Sequence, residues 1–331
     1  MLLGMFKGSL FGSSITAILI KTPGTPAAAA TVLDGYPLAQ KGKGVKAMKM
    51  ALYSSVFGDT FSDVMLIFAA GFLASIALNF GPPEYTLLTG FSLLCISSLT
   101  GNSVWKGLFS VFLGMIIGMI GLDPITATPR LTFEYLELEE GIGLIPMLIG
   151  TLAVSEALRQ MEQPVKKLAS STLVFSKQKI DNVVTFLEFK STLPTIIKSS
   201  SLGTLIGAMP GLGSTIAAFL AYGEAKRSSK KPENFGKGSL EGIAASESAN
   251  NAVSGSNMIP LLAFGIPGDI AAALIMGAFL IQGITLGPVV FQDNPVEIYA
   301  IFAALIVANL FNLFLGHGLI KMCKHVVTVP K

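Results

Sequence analysis

The sequence predicts an all-α membrane protein with many spans, broken helices and re-entrant hairpins, and three observations carry that prediction. The 331 residues are 51% hydrophobic and 13% charged, with a mean hydropathy of +0.66, whereas a soluble domain carries roughly 25% charged residues. Charge-free runs of about 18 residues or more, long enough to cross a bilayer, recur along the chain. Proline–glycine pairs interrupt the apolar sequence, and such pairs break helices.

Six runs have the length of a span, and four shorter runs fit half-helices or short spans. The long runs are 64–83, 85–105, 199–223, 248–268, 270–292 and 298–320, and the short runs are 8–20, 22–33, 107–122 and 141–155. The net charge of +3 is too small to indicate nucleic-acid binding. The cysteines, Cys95 and Cys323, show neither a disulfide framework nor metal-ligand spacing.

Basic residues cluster in loops, and lysine and arginine mark the cytoplasmic side of a membrane. The clusters are Lys41, Lys43, Lys46 and Lys49; Arg159, Lys166, Lys167, Lys177, Lys179 and Lys190; Lys226, Arg227, Lys230, Lys231 and Lys237; and Lys321 and Lys324. Acidic turns separate them, at Glu84, from Asp123 to Glu140, and from Asp293 to Glu297. The run 199–223 has basic loops on both flanks, which predicts a re-entrant hairpin with Pro210-Gly211 near its apex.

Three Pro-Gly pairs divide the chain: the first break is Pro23-Gly24, the second break is Pro210-Gly211, and the third break is Pro267-Gly268. The stretches before the first and third breaks are alike, since Gly12-Ser13 and Gly255-Ser256 each precede a short apolar run, and these runs differ by one residue in length. A basic loop follows the first break and an acidic turn follows the third. Equivalent positions on opposite sides of the membrane indicate an inverted-topology repeat of the kind found in transporters.

This repeat predicts three parts. Residues 1–155 hold the first repeat and the spans that follow it, 156–192 form a cytoplasmic connecting segment, and 193–331 hold the second repeat. The second and third breaks lie 57 residues apart, and the first repeat contains no counterpart of the second break. We therefore expect the first repeat to be incomplete at its N-terminus, the second at its C-terminus, and the chain alone to transport poorly.

Paired broken helices are the best pointer in a sequence to the binding site of a transporter, so the candidate site residues surround the breaks. The candidate substrate-binding residues are Ser13, Ser14, Thr22, Pro23, Gly24, Thr25 and Pro26; Pro210, Gly211, Gly213 and Ser214; and Asn250, Asn251, Ser254, Gly255, Ser256, Pro267 and Gly268. Hydroxyl groups and helix N-termini suit an anion without a buried fixed positive charge. Packing between helices, to which small and polar residues also contribute, is the alternative.

The polar stretch from Glu247 to Asn257 abuts an apolar run, and its asparagines offer both donors and acceptors. We expect Asn250 and Asn251 at a helix end that faces the third break, and Asn250, Asn251 and Asp269 are the candidates for contact with a coupling ion. Asp59 and Asp63 share one helix face, with solvated helix ends as the alternative. Glu156 and Glu247, near cytoplasmic ends, are weaker candidates.

With these residues the sequence resembles the large membrane subunit of the tripartite tricarboxylate transporters. The stretches that carry the resemblance are 23–38, with both Pro-Gly and Tyr-Pro, then 121–130, 210–214, Ala249-Asn250-Asn251-Ala252, and Gly265-Ile266-Pro267-Gly268. Together they extend over most of residues 4–295. Family members usually run past both ends of this chain, and a serine is common where Asp269 stands, which leaves the exact substrate open.

The resemblance implies uptake of tricarboxylates or related organic anions that a periplasmic binding protein delivers, with a small membrane subunit alongside. It also implies a multi-pass protein of a bacterial or archaeal inner membrane that moves in an elevator-like way. Transport is expected to be coupled to an ion gradient, expected to be sodium, with no further cofactor. A non-transporting scaffold or channel subunit is the alternative. An intramembrane hydrolase would need a base near Ser254, but the histidines, His317 and His325, are terminal and no Gly-X-Gly-Asp occurs.

Overall fold

The computed structural model describes residues 1–99, 104–123, 126–143 and 178–327, together with 146, 147, 149–155, 158, 161 and 176. Most of the predicted connecting segment 156–192, including Glu156, Arg159, Lys166, Lys167 and Lys177, lies outside the described residues. The predicted three-part division therefore stays a prediction.

The described chain is an all-α membrane protein, as the composition predicted. Its helices are α1 (Leu2–Ile20), α2 (Ala28–Leu38), α3 (Gly44–Ala77), α4 (Pro82–Leu99), α5 (Val104–Gly118), α6 (Phe186–Gly207), α7 (Gly213–Ser228), α8 (Leu240–Ser256), α9 (Met258–Phe264), α10 (Ile270–Ile281), α11 (Val290–Asp293) and α12 (Pro295–Val327). Two short strands, β1 (Gly121–Leu122) and β2 (Pro129–Arg130), pair antiparallel with Gly121 opposite Arg130 and Leu122 opposite Pro129.

Short 3₁₀ and π turns complete the described elements, at Ala39–Lys43, Leu136–Leu138, Ile149–Val154, Lys179–Asn182 and Pro232–Asn234. Among the described residues, three helical segments are long and apolar enough to cross a membrane: Leu2–Ile20, Ala28–Ala77 and Pro295–Cys323. The second of these joins α2 to α3 across a kink at Gly42, whose φ is 81°. The sequence runs missed the first half of α3, because polar residues from Lys46 to Asp63 interrupt the apolar pattern there.

Helix α8 lies at the centre of the fold, and every residue from Gly242 to Ser256 is buried. Helices α2, α3, α6 and α7 pack around it. Glycines permit the close approach: a Cβ on Gly58 of α3 would lie 2.2 Å from the carbonyl oxygen of Ser248, and a Cβ on Gly203 of α6 would lie 2.4 Å from that of Ala249. Small residues bring membrane helices together in this way.

The helices before the first and third breaks end with the same hydrogen bonds. Lys21 and Gly265 are both left-handed, with φ of 57° and 70°. The amides of Lys21 and Thr22 donate to the carbonyl of Thr16, and those of Gly265 and Ile266 donate to that of Pro260. This arrangement is a Schellman-type cap that closes each helix two residues before the proline.

The correspondence continues through the breaks at the constant offset that separates Lys21 from Gly265. A Cβ on Gly24 would lie 2.9 Å from the Cα of Ser13, and a Cβ on Gly268 would lie 2.6 Å from the Cβ of Asn257. The structural partner of Ser13 is therefore Asn257, without a gap. The sequence alignment of Ser13 with Ser256 was wrong by one residue, because it relied on matching Gly-Ser pairs rather than on the folded break.

The second break forms the tip of a hairpin between α6 and α7, as the sequence predicted for this segment. Gly211 and Gly213 have positive φ values of 89° and 66°, which only glycine adopts readily. The amide of Gly211 donates a 2.7 Å hydrogen bond to the carbonyl of Gly268. The second and third breaks, which are distant in sequence, are therefore in direct contact.

Three of the predicted cytoplasmic loops also meet. Lys41 donates to the carbonyl of Lys237 at 2.6 Å, and Lys43 lies 3.1 Å from Asp181. The hydroxyl of Ser176 and the ammonium of Lys43 hold the pKa of Asp181 below its ordinary value.

Asp34 of α2 holds the loop before α8 in place. Its carboxylate accepts the amides of Gly236, Gly238 and Ser239 at 2.8–2.9 Å and the Tyr222 hydroxyl at 2.9 Å.

We predict that Gly58→Ala lowers the thermal midpoint of the purified protein, because the added methyl group meets the backbone of α8 and overpacking costs about 1–3 kcal/mol. Gly71→Ala on the same helix is the control, since a Cβ there meets nothing within 4 Å. Differential scanning fluorimetry in detergent measures both midpoints. Equal midpoints for the two variants would contradict the close packing of α3 on α8.

We also predict that the α6–α7 hairpin does not cross the membrane. In a background without Cys95 and Cys323, single cysteines replace Lys190 and Lys230, which are both exposed. A membrane-impermeant maleimide added from the periplasmic side should label neither position, and it should label both after permeabilisation. Labelling at only one of the two from the periplasmic side would contradict the hairpin, because its two ends would then lie on opposite sides of the membrane.

Candidate functional site

Helix α8 presents polar side chains on two different faces. Ser246, Asn250 and Asn257 share one face at helical spacing, whereas Glu247, Asn251 and Ser254 share another. The hydroxyl oxygen of Ser246 lies 3.1 Å from that of Thr31 on α2, so the first face points towards the helix that follows the first break. We call these sets the Asn250 face and the Glu247 face.

The first break folds back on the helix that precedes it. The hydroxyl oxygens of Ser13 and Thr25 lie 3.0 Å apart, and the amide of Gly24 donates to the carbonyl of Ser13 at 3.4 Å. Thr25 also accepts the amide of Ala28, at 3.4 Å, in the first turn of α2. The sequence had grouped these residues correctly around one turn. Thr22, Gly24 and Pro26 are exposed there, and Pro23 and Thr25 are half-buried.

Asp269 occupies the position at the third break that Thr25 occupies at the first. Its carboxylate accepts the amide of Ala272 at 2.8 Å and caps α10. An acidic N-cap of this kind satisfies a free amide and complements the helix dipole. The geometry accounts for Asp269 as a cap, and its contact with a coupling ion stays a prediction.

Helix α2 packs near its N-terminus against the second turn of α7, and neither helix carries an acidic residue in its first turn. Ala27 and Ala30 at the start of α2 pack against Ala218 of α7 in one buried cluster. Each helix begins shortly after a Pro-Gly break, and each N-terminus carries a partial positive charge. Thr25 beside one end and Ser214 in the first turn of the other add hydroxyl groups, and both residues are half-buried.

Asn250 is buried, with 1% of its surface exposed, and neither its amide nitrogen nor its carbonyl oxygen has a hydrogen-bond partner among the described residues. The same holds for the hydroxyls of Ser54, Ser200 and Thr204. A buried polar group without a partner costs about 1–3 kcal/mol. The prediction that Asn250 and Asn251 lie at a helix end was wrong, because both lie within α8, which continues to Ser256.

The Glu247 face holds a carboxylate among hydroxyl groups from three helices. Ser14 of α1 donates to it at 2.6 Å, Ser55 of α3 donates at 2.9 Å, and Thr31 of α2 donates as well. The amide nitrogen of Asn251 donates to the Ser55 oxygen and to the Glu247 carbonyl, both at 2.9 Å. The sequence placed Glu247 near a cytoplasmic end, whereas the folded residue is fully buried.

A buried ion-pair network continues this face along α3. The Lys7 ammonium lies 2.5 Å from Asp63 and 3.5 Å from Asp59, and Ser254 donates to Asp59. Asn309 of α12 accepts from Lys7 at 2.8 Å and donates to Asp63 at 2.7 Å. Asp59 and Asp63 have no exposed surface, so the alternative of solvated helix ends was wrong.

Sequence reasoning missed Lys7 and Asn309. Lys7 is a lone charge in an apolar segment, and intramembrane charges mark functional positions, so a signal for it existed. No local signal distinguished Asn309 from other amides, because its partners are distant in sequence.

The remaining candidates have structural contacts. Pro210 and Gly268 are buried, Pro267 is half-buried, and Gly255 and Ser256 lie where α8 touches its neighbours. A Cβ on Gly255 would meet Asp63 and Ser62 of α3 at 2.6 Å, and Ser256 packs on Gly207 of α6. Among the described residues, no group of three or more His, Cys, Asp or Glu side chains could hold a metal ion.

We predict that Lys7→Met strongly destabilises the protein, because Asp59 and Asp63 lose the cation that compensates them. Removing one partner of a buried ion pair costs about 3–5 kcal/mol. The double variant Lys7→Met with Asp63→Asn should recover part of that loss. Lys198→Met is the control, since its pair with Glu224 is exposed (54% and 28%) and such pairs contribute roughly 0.2–1 kcal/mol. Thermal midpoints and monodisperse yield measure all three, and a harmless Lys7→Met would contradict the network.

Two curated relatives come from Agrobacterium vitis. The "Uncharacterized 52.8 kDa protein in TAR-I ttuC' 3'region" is 38% identical over 330 residues, which cover 100% of this chain and 65% of the relative. The "Uncharacterized protein in TAR-II ttuC' 3'region" is 43% identical over 128 residues, which cover 39% of this chain and 53% of that relative.

The chain thus spans about two thirds of the length of the first relative. No solved structure matches the chain. The profile described as "Tripartite tricarboxylate transporter TctA family" matches residues 1–331, the entire chain. The resemblance seen in the sequence is therefore confirmed, and the chain belongs to the tripartite tricarboxylate transporter TctA family.

Proposed function

We propose that this chain forms the transport pathway of an ion-coupled secondary carrier for tricarboxylates or related organic anions. A periplasmic binding protein delivers the substrate, a small membrane subunit accompanies the chain, and a sodium gradient drives uptake across the inner membrane. Family membership supports the transporter role and the partner subunits.

The packing of α2 against α7 carries the proposal. Two helices without acidic residues in their first turns pack together at the Ala27–Ala218 cluster, close to their N-termini, and N-termini bind carboxylates through amides and the helix dipole. The third helix that follows a break, α10, differs because Asp269 already caps it. An external carboxylate is therefore favoured at α2 and α7, where no internal carboxylate competes.

Asn250 supplies specificity in this proposal. It is buried on the α8 face that points towards α2, and both of its polar atoms are free of protein partners among the described residues. An amide can donate to a carboxylate and accept from a hydroxyl group. A substrate with both groups would satisfy it and offset the cost of burying it.

The matched breaks support alternating access. The first and third breaks share their helix caps, their glycine contacts and the capping position of Thr25 and Asp269. A basic loop follows one and an acidic turn follows the other, which favours an inverted repeat and opposite orientations in the membrane. In this proposal the breaks and α8 move together, elevator-like, and carry the anion across.

We predict that Asn250→Ala weakens substrate affinity about tenfold to a hundredfold, because hydrogen bonds to a charged ligand contribute about 1.5–3 kcal/mol. Uptake of the carboxylate that the cognate binding protein delivers is measured in cells with the complete transporter, as the substrate concentration that gives half-maximal uptake. Asn79→Ala is the control, since Asn79 lies exposed after α3 and bonds only to Ser75 in the described structure.

Melting temperatures of both purified variants separate binding from packing. If Asn250→Ala keeps normal affinity but melts earlier, Asn250 is a packing residue and the proposed anion site loses its central contact.

A further inference from the structure

We propose that Glu247, Asn251, Ser14, Thr31 and Ser55 form a binding site for an alkali-metal cation of the size of sodium, on the Glu247 face of α8. Its role in coupling rests on the proposed function, whereas the binding itself can be tested on the protein alone. The proposal places the ion at Glu247 rather than at Asp269, whose carboxylate already caps α10.

Charge is the first argument. Four carboxylates, Asp34, Asp59, Asp63 and Glu247, are fully buried. Lys7 contacts Asp59 and Asp63, and three backbone amides and the Tyr222 hydroxyl donate to Asp34. Every described side-chain partner of Glu247 is a neutral hydroxyl group. A buried carboxylate without a cation is costly in a medium of low dielectric constant, so a mobile cation at Glu247 would stabilise the fold.

The oxygen set is the second argument. The carbonyl oxygen of the Asn251 side chain is buried and accepts no hydrogen bond from a described residue, although its amide nitrogen binds Ser55 and the Glu247 backbone within the same cluster. Hydroxyl groups that donate to a carboxylate keep lone pairs free. One carboxylate, one amide oxygen and three hydroxyls together match the preference of hard cations for oxygen ligands.

Connectivity is the third argument. Ser14 precedes the first break on α1, Thr31 follows it on α2, Ser55 lies on α3, and Glu247 and Asn251 lie on α8. Ser14 adjoins Ser13, which holds Thr25 at the start of α2. A cation at Glu247 would therefore fasten both sides of the first break to α8. The N-terminus of α2 would be ordered before the anion arrives, which is how one ligand raises the affinity for another.

The test is sodium-dependent thermal stability of the purified full chain, at constant pH and constant ionic strength. NaCl replaces choline chloride stepwise, and KCl serves as a second series. We expect the midpoint to rise with sodium concentration, because a ligand that binds only the folded state stabilises it by mass action. Potassium should give a smaller rise. Binding of radioactive sodium to the same protein gives the dissociation constant directly.

Glu247→Gln should abolish the sodium response, and Asn251→Ala should weaken sodium binding by roughly tenfold or more. Glu241→Gln is the matched control on the same helix, since that half-buried carboxylate also accepts two hydroxyl groups, from Thr195 at 2.8 Å and Ser229 at 2.6 Å. It should keep the full response.

The wild-type measurement keeps the proposal falsifiable even if Glu247→Gln fails to fold. A wild-type midpoint that does not change with sodium concentration would overturn the cation site. A midpoint that responds to pH in choline chloride but not to added sodium would overturn it as well. An unchanged response in Asn251→Ala would overturn its ligand set. If the protein binds sodium but Asn250→Ala keeps normal affinity for the substrate, only the proposed anion site is contradicted. The failure of one proposal can therefore be distinguished from the failure of the other.

Discussion

The burial of a polar helix at the centre of a membrane protein is the constraint on which the rest of the fold depends. Helix α8 carries a carboxylate, two asparagines and several serines, yet its residues from Gly242 to Ser256 are buried. Polar groups without partners are expensive in such surroundings. The neighbours therefore offer either glycine, as at Gly58 and Gly203, or hydroxyl groups, as at Ser55 and Thr31.

The buried polar groups on the two faces of α8 differ in whether they have partners. The hydroxyls around Glu247 satisfy its carboxylate, and the ion pairs of Lys7 partly neutralise Asp59 and Asp63. Asn250 on the other face finds no partner among the described residues. A protein tolerates such a residue where function requires it, since a free buried amide costs stability and is ready to bind. The Glu247 face is therefore a hydrogen-bonded network around a carboxylate, whereas the Asn250 face is the candidate substrate site.

Composition and the Pro-Gly pairs were enough to predict the fold class, because membrane burial and helix breaking depend on local sequence alone. They also predicted which residues gather at the first break. They could not predict Glu247 as a centre, because its partners, Ser14, Thr31 and Ser55, lie far away in the chain and become neighbours only when α1, α2 and α3 pack on α8. The alignment of Ser13 with Ser256 was wrong by one residue for a similar reason, because it matched residue types, whereas the backbone contacts that align Ser13 with Asn257 form only in the folded chain.

The first and third breaks have matching helix caps and glycine contacts, but one carries a threonine where the other carries an aspartate. The neutral hydroxyl of Thr25 accepts the amide of Ala28 at 3.4 Å, whereas Asp269 caps α10 with a carboxylate at 2.8 Å. An ionised cap compensates the positive end of its helix, and a neutral cap leaves it largely uncompensated. Two breaks with the same backbone thus differ in the charge that they present. In the proposed transporter, the anion is therefore expected at the break with the threonine rather than at the break with the aspartate.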